Sequence, residues 1–216
     1  MSNVNSEAAF HAAFWVLFGL MAAMRLCFAV RVRRSGARIL PDRAAIRREG
    51  WVFAVRLVAA LCFMALIVAV CRYRLSLRRF SIPLPDWLRW AGFVLGLAGL
   101  VLWTWTHLAL GRFWSAQLQL REHHQMITSG PYARVRHPMY LALFAWMAGL
   151  VLVISNWVAV LFAAIVPVII LGRLPAEEQM MIERFGDEYR DYMKRTGRFF
   201  PKWRASPQPP NNSHPG

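Results

Sequence analysis

A dense polar cluster, Arg134, Arg136 and His137, stands directly before an apolar segment in the stretch TSGPYARVRHPMYLAL, residues 128–143. Cations beside a membrane-spanning segment commonly contact anionic lipid headgroups, which is the simplest interpretation of these side chains. Pro138 favours the start of a helix, whose free N–H groups would face His137 and attract an anion such as a carboxylate. The cluster therefore predicts either a headgroup contact or an anion-binding site.

Two adjacent glutamates form a second group of residues suited to chemistry. Six of the eleven acidic residues lie between positions 177 and 191, and the series begins with Glu177 and Glu178. Pro175 precedes them and suits the first turn of a helix, where carboxylates complement the helix dipole. A helix from Pro175 to about Arg195 would be amphipathic, with Glu178 inside its apolar stripe and Glu177 at the edge. A carboxylate on an apolar face needs a partner.

A third group, Glu122, His123 and His124, contains metal-binding residue types without metal-binding spacing. His107 or His137 would have to complete the set, and the sequence offers neither an HExxH helix nor cysteine partners. The three cysteines of the chain lie in or at the end of apolar segments, again without paired spacing. We therefore predict no metal site and no disulfide framework.

Composition indicates that these polar groups belong to a membrane protein. Hydrophobic residues make up 57% of the 216 residues, with 10 tryptophans, which is too apolar for an ordinary soluble domain. A membrane-spanning helix needs about 20 apolar residues. Five segments approach that length: 8–30, 51–71, 87–110, 139–154 and 157–174. Ser155 and Asn156 alone separate the last two segments, which predicts a helical hairpin.

The predicted fold is all-α: an integral membrane protein with about five transmembrane helices, the last two a hairpin, followed by the amphipathic C-terminal helix on the cytoplasmic side. Three regions follow from this order. Residues 1–110 hold transmembrane helices 1–3 and an Arg-rich loop, and residues 111–204 hold the functional core. Residues 205–216 are rich in Pro and Asn and are expected to be disordered.

The net charge of +15 is distributed between the apolar segments. Seven arginines lie between positions 31 and 48, whereas the residues before the first segment carry one charged side chain, Glu7. The positive-inside rule then puts the N-terminus outside, and the loop before the hairpin and the C-terminal segment in the cytoplasm. Four arginines between 72 and 79 would lie outside. No nucleic-acid-binding motif or stacking pattern accompanies the charge, so we predict no nucleic-acid partner.

Two motifs in the C-terminal half resemble the isoprenylcysteine carboxyl methyltransferase family, which belongs to a wider group that includes phospholipid N-methyltransferases. The first motif is GPYARVRHPMY, residues 130–140, and the second is EEQMMIERFGDEYRDYMKRTGRFFP, residues 177–201. The predicted hairpin lies between them, and the resemblance extends over roughly residues 90–204. In this sequence Pro175 falls between Arg173 and Glu177, and Ala142 stands where many members have Gly.

The resemblance implies a membrane enzyme that uses S-adenosylmethionine at the cytoplasmic face of the bacterial inner membrane or the endoplasmic reticulum. Its partners would be the lipid bilayer and a lipid-like or prenylated acceptor, which Arg173 would orient, with Tyr140 as a second catalytic residue. The resemblance assigns cofactor binding to Gln117, His124, Gln125, Met126, Ile127, Tyr132, His137, Pro138, Met139, Tyr140, Glu177 and Glu178.

These residue types suit that cofactor. Tyr132 and Tyr140 would attract its sulfonium through cation–π contacts, worth roughly 1–2 kcal/mol when desolvated. Glu177 and Glu178 would accept hydrogen bonds from its ribose hydroxyls or ammonium. A carboxylate acceptor is already ionised at neutral pH and needs no general base, and the planar guanidinium of Arg173 would match it.

Two other functions are compatible with the same segments. A sterol-type membrane reductase has a similar C-terminal region but uses NADPH, and would need additional Arg or Lys residues for the 2′-phosphate. A non-enzymatic membrane accessory protein would keep the fold and lack a cofactor cavity. Carboxylate, amine and thiol acceptors all fit the sequence, as do a monomer and an oligomer.

Overall fold

The computed structural model of the chain describes residues 4–34, 79–110 and 126–202. Every regular element in these ranges is helical, which confirms the predicted all-helical class for the part described. The elements are α1 Val4–Arg34, α2 Asp86–Leu110, a short 3-10 helix Gly130–Ala133, α3 Pro138–Ile154, α4 Trp157–Phe185 and α5 Asp187–Arg195.

Three of these helices are long and apolar enough to cross a membrane, namely α1 over Ser6–Arg31, α2, and α4. Helix α3 is apolar but shorter. The predicted span at 51–71 lies outside the described residues, so the count of five spans stays a prediction, as does the division into regions at 110 and 204. The chain is an integral membrane protein.

Exposed tryptophans lie near the ends of these helices. Trp87 and Trp157, at the starts of α2 and α4, are 70% and 60% exposed, and Trp105 near the end of α2 is 54% exposed. Tryptophan is enriched where a membrane helix meets the headgroups on either side. The two ends of the bundle are therefore marked by aromatic side chains that suit the membrane interfaces.

Helices α2 and α3 approach so closely that their backbones are in contact. A Cβ added to Gly149 on α3 would lie 2.5 Å from the Gly92 carbonyl oxygen and 2.6 Å from the Gly96 nitrogen on α2. A Cβ added to Gly99 would lie 2.6 Å from the Trp146 nitrogen. Small residues permit this close packing between membrane helices. The glycines thus fix the position of α3, the helix that begins at the first motif.

Helix α1 packs across this pair and completes the hydrophobic core. The Trp146 indole N–H donates to the Leu17 carbonyl oxygen of α1 at 3.1 Å. The buried side chains that form this core are Phe10, Ala13, Phe14, Leu17, Met21, Leu100, Trp103, Ala142, Trp146, Leu150 and Val153.

A buried arginine joins three helices at one end of the bundle. Arg89, in the first turn of α2, is 5% exposed and pairs with Glu7 of α1 at 2.6 Å. It also donates to the Val153 carbonyl oxygen at the end of α3, at 2.9 and 3.0 Å. Because Glu7 and Arg89 both lie near the starts of their helices, α1 and α2 run in the same direction. That direction is the one expected if a span at 51–71 separates them.

A two-residue turn joins α3 and α4, which confirms the predicted hairpin. Ser155 has a left-handed φ of 53°, and its N–H donates to the Val151 carbonyl oxygen. The Asn156 side chain caps α4 by accepting a hydrogen bond from the Val158 N–H at 2.9 Å. The chain thereby reverses, and α4 returns to the end of the bundle where α3 begins.

The C-terminal helix differs from the prediction of one helix running from Pro175 to about Arg195. Helix α4 continues through Pro167 and Pro175 to Phe185, and α5 is a separate helix. A proline inside a helix removes one hydrogen bond and crowds the carbonyl of the preceding turn, but membrane helices tolerate proline because neighbouring groups satisfy the freed backbone. The break occurs at Gly186, whose φ of 56° lies in the left-handed region that favours glycine.

Helix α5 has one buried and one exposed side. Tyr189 and Tyr192 are 3% and 4% exposed, whereas Arg190, Asp191 and Lys194 face outward. This short helix is therefore amphipathic, and its cytoplasmic location stays a prediction.

Candidate active site

Backbone pairing brings the first motif against the end of the second. Val135 and Gly197 form a parallel bridge on adjoining segments. The Arg136 N–H donates to the Gly197 carbonyl oxygen at 2.8 Å, and the His137 N–H donates to the Arg198 carbonyl oxygen at 3.0 Å. The start of α3 is thus held by the segment that follows α5.

The Glu178 carboxylate is the centre of a buried ion cluster, and it is itself 4% exposed. Arg136 Nε lies 3.1 Å and His137 Nε2 lies 3.4 Å from its Oε1. Arg198 Nη2 donates to Oε2 at 2.7 Å. The cations supply the partner that a carboxylate on an apolar face requires. Arg136 also donates to two carbonyl oxygens at the end of α5, those of Met193 and Thr196.

Glu177 forms a second group with Tyr140 and Arg173. The Tyr140 hydroxyl donates to Glu177 Oε2 at 2.7 Å, and Arg173 Nε lies 3.9 Å from the same oxygen. The Glu177 side chain is 28% exposed and that of Arg173 is 10% exposed. Although Pro175 lies between them, the continuous helix keeps Arg173 and Glu177 on one turn. A carboxylate, a phenol and a guanidinium therefore stand together, with the carboxylate accessible.

Aromatic rings surround the start of α3. The rings of His137 and Tyr140 are stacked, with centroids 5.7 Å apart. The Phe199 ring lies 6.4 Å from His137 and 5.6 Å from Phe144. Such an environment offers flat apolar surfaces and ring faces that attract a cation.

Tyr132 of the 3-10 helix is buried beside these groups. Burial raises the pKa of its phenol above the ordinary value, and the nearby Glu177 charge raises it further. Burial also raises the pKa of Tyr192 to about 12. The Tyr192 hydroxyl keeps its proton at neutral pH and donates it to the Tyr132 carbonyl oxygen at 2.7 Å. This bond ties α5 to the first motif.

The start of α3 offers fewer free N–H groups than the sequence suggests. The N–H groups of Tyr140 and Leu141 both donate to the His137 carbonyl oxygen, at 3.2 and 3.3 Å. Met139 packs against the hydrophobic core of the bundle. An anion at this helix terminus would therefore depend on side chains more than on the backbone.

The structure brings most of the described residues that the family resemblance singles out to one end of the bundle. Pro138 is fully buried at the first position of α3. Met126 and Ile127 are half-buried at the beginning of their described range. Gln117, His124 and Gln125 lie outside the described residues. The residues that meet are Tyr132, His137, Tyr140, Arg173, Glu177 and Glu178.

Sequence reasoning missed Arg198, which binds Glu178 from 20 residues further along the chain. The signal in the sequence would have been a carboxylate on an apolar face with no cation beside it, together with a cation near the end of the second motif. Within the three described ranges, no group of three or more His, Cys, Asp or Glu residues could hold a metal ion. His123 and His124 lie outside those ranges.

A family comparison supports the resemblance drawn from the two motifs. Residues 91–183 match the isoprenylcysteine carboxyl methyltransferase (ICMT) family. The match covers less than half of the chain, and over this segment the chain is similar to that family. The resemblance predicted from the two motifs is thus confirmed over this segment. The match includes the first motif, the hairpin, and both Glu177 and Glu178.

Individual relatives cover different shares of the chain. Protein-S-isoprenylcysteine O-methyltransferase B of Arabidopsis thaliana is 27% identical over 136 residues, which cover 61% of this chain and 69% of that protein. The nickel-cobalt-cadmium resistance protein NccN of Alcaligenes xylosoxydans xylosoxydans is 30% identical over 122 residues. That match covers 54% of this chain and 53% of NccN, so the chain spans about half of that relative.

The solved structure of the eukaryotic intramembrane Ras methyltransferase ICMT has a similar fold. It is 20% identical, with a TM-score of 0.56, and the alignment covers 88% of this chain and 67% of that chain. At this identity the likeness concerns the arrangement of the membrane helices.

Proposed function

We propose that this ICMT-like protein transfers a methyl group from S-adenosylmethionine to a lipid-like acceptor, as a carboxyl O-methyltransferase. The observation that carries the proposal is the 2.7 Å hydrogen bond between Tyr140 and Glu177. It joins the two family motifs at one end of the apolar helices, where a water-soluble cofactor and a membrane-borne acceptor can meet.

The residue types at this end fit S-adenosylmethionine. Glu177 has an accessible carboxylate that would accept hydrogen bonds from the ribose hydroxyls or the ammonium group. The rings of Tyr132, His137 and Tyr140 would surround the cationic and aromatic parts. When bound, the cofactor supplies an electrophilic methyl group on its sulfonium.

The pairing of Arg136 and Arg198 argues against a reductase that binds NADPH. Such an enzyme needs cations directed at the 2′-phosphate. Arg136 and Arg198 both donate hydrogen bonds to Glu178, and together these bonds occupy both oxygens of its carboxylate. The cluster balances the buried carboxylate, so these cations are not offered to a cofactor phosphate.

We assign different roles to the two glutamates on the basis of their contacts. Because both Glu178 oxygens already accept hydrogen bonds from Arg136, His137 and Arg198, we assign Glu178 to positioning His137. Glu177 is the carboxylate that we assign to the cofactor. The loop residues Gln117, His124, Gln125, Met126 and Ile127 complete the proposed cofactor site, with Pro138 and Met139 shaping the start of α3.

Arg173 is the residue proposed to orient the acceptor. It is nearly buried on α4 and lies one turn from Glu177. A guanidinium presents paired donors that match a planar carboxylate, and such an acceptor needs no general base because it is ionised at neutral pH. The protein's contribution is then to align the acceptor with the methyl group and to exclude water.

The cytoplasmic face is the location that we propose for the site. The first turns of α1 lie at the end of the bundle that contains Arg89. Its last turn lies at the opposite end, which also contains the two motifs. Its last turn carries Arg31, Arg33 and Arg34. Basic residues that flank membrane helices favour the cytoplasmic side.

Calorimetric titration of S-adenosylmethionine into the detergent-purified full chain tests the cofactor. We expect saturable micromolar binding that Glu177→Gln abolishes. The matched control is Glu183→Gln on the same helix, an exposed glutamate that bonds to Gln179 and should bind normally. Binding of NADPH alone, or no binding by the folded wild type, contradicts the proposal.

A product assay tests the acceptor class. Labelled methyl groups transferred to a carboxylate are released as methanol by alkali, whereas methylated amines and thioethers are stable to it. We expect alkali-labile product with an N-acetylated prenylcysteine. Arg173→Gln should raise the KM for this acceptor and leave the affinity for S-adenosylmethionine unchanged, because Arg173 is assigned to the acceptor. Alkali-stable product would contradict a carboxylate acceptor and indicate an amine or thiol acceptor.

A further inference from the structure

The segment that follows α5 combines aromatic and basic side chains. Residues 195–202 read RTGRFFPK and contain three cations and no acidic residue. Phe200 is 72% exposed, and the Arg198 side chain is 52% exposed. Lys202 is also exposed. A large apolar ring therefore stands between two cations on the surface.

The depth of this segment follows from its contact with α3. The Phe199 ring lies 5.6 Å from the Phe144 ring. Phe144 is six residues beyond Pro138, the first residue of α3, which corresponds to about 9 Å along a helix axis. Helix α3 is an apolar helix inside the membrane bundle. Phe199 thus lies beside the outer part of a membrane helix, and Phe200 is next to it.

Hydrogen bonds hold the segment in place at its middle and at its last residue. The Arg198 carbonyl oxygen accepts the His137 N–H at 3.0 Å. The Lys202 ammonium donates to the Met193 and Lys194 carbonyl oxygens at the end of α5, at 2.8 and 3.0 Å. The segment is therefore fixed to the fold, and Phe200 projects outward from a defined position.

Most acidic groups near this segment are already paired. Asp187 binds Arg190 and Asp191 binds Lys194, each at 2.8 Å, on the exposed side of α5. Glu178 is buried and pairs with Arg198, and Glu188 is the other exposed carboxylate of α5. The positive charge that remains on the segment therefore rests on Arg195 and Lys202.

We propose that residues 195–202 form an interfacial anchor that binds anionic phospholipid headgroups. Phe200 enters the boundary between headgroups and acyl chains, and Arg195 and Lys202 contact the phosphates. An apolar ring flanked by cations is the pattern that binds such surfaces. Because Arg198 holds both His137 and Glu178, the anchor also links the bilayer surface to the candidate active site.

Hydrogen–deuterium exchange of the full chain in nanodiscs tests the anchor. One set of discs contains phosphatidylcholine alone, and the other contains added phosphatidylglycerol. We expect the amides of residues 196–200 and 202 to exchange more slowly in the anionic discs, by about fivefold for each basic residue that contacts lipid. High salt should reverse the effect, because salt screens exposed charges.

Matched variants identify the side chains responsible. Phe200→Ser and Lys202→Gln should each abolish the difference between the two lipids. Phe80→Ser and Lys194→Gln should keep it, because Phe80 lies at the opposite end of the bundle and the Lys194 side chain pairs with Asp191. Thermal unfolding checks that each variant is folded. Equal exchange in both lipids overturns the proposal, as does a difference that persists in Phe200→Ser and Lys202→Gln.

Discussion

Tyr140 on α3 donates a 2.7 Å hydrogen bond to Glu177 on α4, 37 residues further along the chain. The bond closes the open end of the hairpin formed by these two helices. It also aligns the accessible carboxylate with the ring of Tyr140, which is stacked on His137. A ligand that binds Glu177 would therefore contact a ring face as well.

Removing the Tyr140 hydroxyl should weaken cofactor binding without unfolding the protein. Tyr140→Phe keeps the ring that stacks on His137 and removes the hydrogen bond to Glu177. Loss of a hydrogen bond to a charged group predicts an affinity for S-adenosylmethionine about tenfold lower. Calorimetry measures the affinity, and the melting temperature is the control. An unchanged affinity would separate this hydroxyl from the cofactor site.

Neutralising Glu178 should destabilise the whole C-terminal region. In Glu178→Gln the buried Arg136 loses its carboxylate partner, which typically costs about 3–5 kcal/mol. We expect a lower melting temperature and faster proteolysis after α5. Glu188→Gln, an exposed position in the first turn of α5, is the control and should melt like the wild type. Equal melting of both variants would argue against the ion cluster.

Alkaline pH should loosen the contact between α5 and the first motif. Tyr192 has a pKa of about 12 in the folded protein, above the ordinary value of 10.0, because burial disfavours the phenolate. A pKa raised by folding stabilises the protein fully below pH 10.0, and the contribution is lost as the pH rises toward about 12. Melting temperature measured against pH should fall over that range. Tyr192→Phe should show a smaller fall than the wild type.

Adding one methyl group between α2 and α3 should destabilise the bundle. Gly149→Ala places a Cβ 2.5 Å from the Gly92 carbonyl oxygen, and backbone must move to admit it. Overpacking of this kind costs about 1–3 kcal/mol. Gly19→Ala is the control, since a Cβ there meets nothing within 4 Å. Thermal unfolding in detergent should separate the two variants, and a stable Gly149→Ala would disprove the close backbone contact.

The sequence predicted which segments form helices better than it predicted where those helices end. Apolar length identified α1, α2 and the hairpin, because a bilayer imposes a minimum length on each helix. Pro175 gave the wrong boundary. A proline suits both a first turn and the interior of a long membrane helix, and the local sequence does not distinguish these cases. Gly186, whose left-handed φ ends α4, was the better marker.

The candidate site was predictable in part. The two motifs identified Tyr140, Glu177 and Glu178, and the polarity of Glu178 indicated that it needed a partner. Which cations would supply that partner depends on pairing between the segments around Val135 and Gly197. That pairing joins distant parts of the chain, and no periodicity within either segment reports it. Arg198 was missed for this reason.

The proposed methyltransferase activity is tested most directly by measuring the transfer of labelled methyl groups from S-adenosylmethionine to an N-acetylated prenylcysteine. The assay uses the purified full chain in lipid. We expect alkali-labile product from the wild type and from Glu183→Gln, and no product from Glu177→Gln. Acceptors with an amine or a thiol serve as further substrates in the same assay. No methyl transfer to any of the three acceptor classes by the folded wild type would contradict the assignment of a methyltransferase.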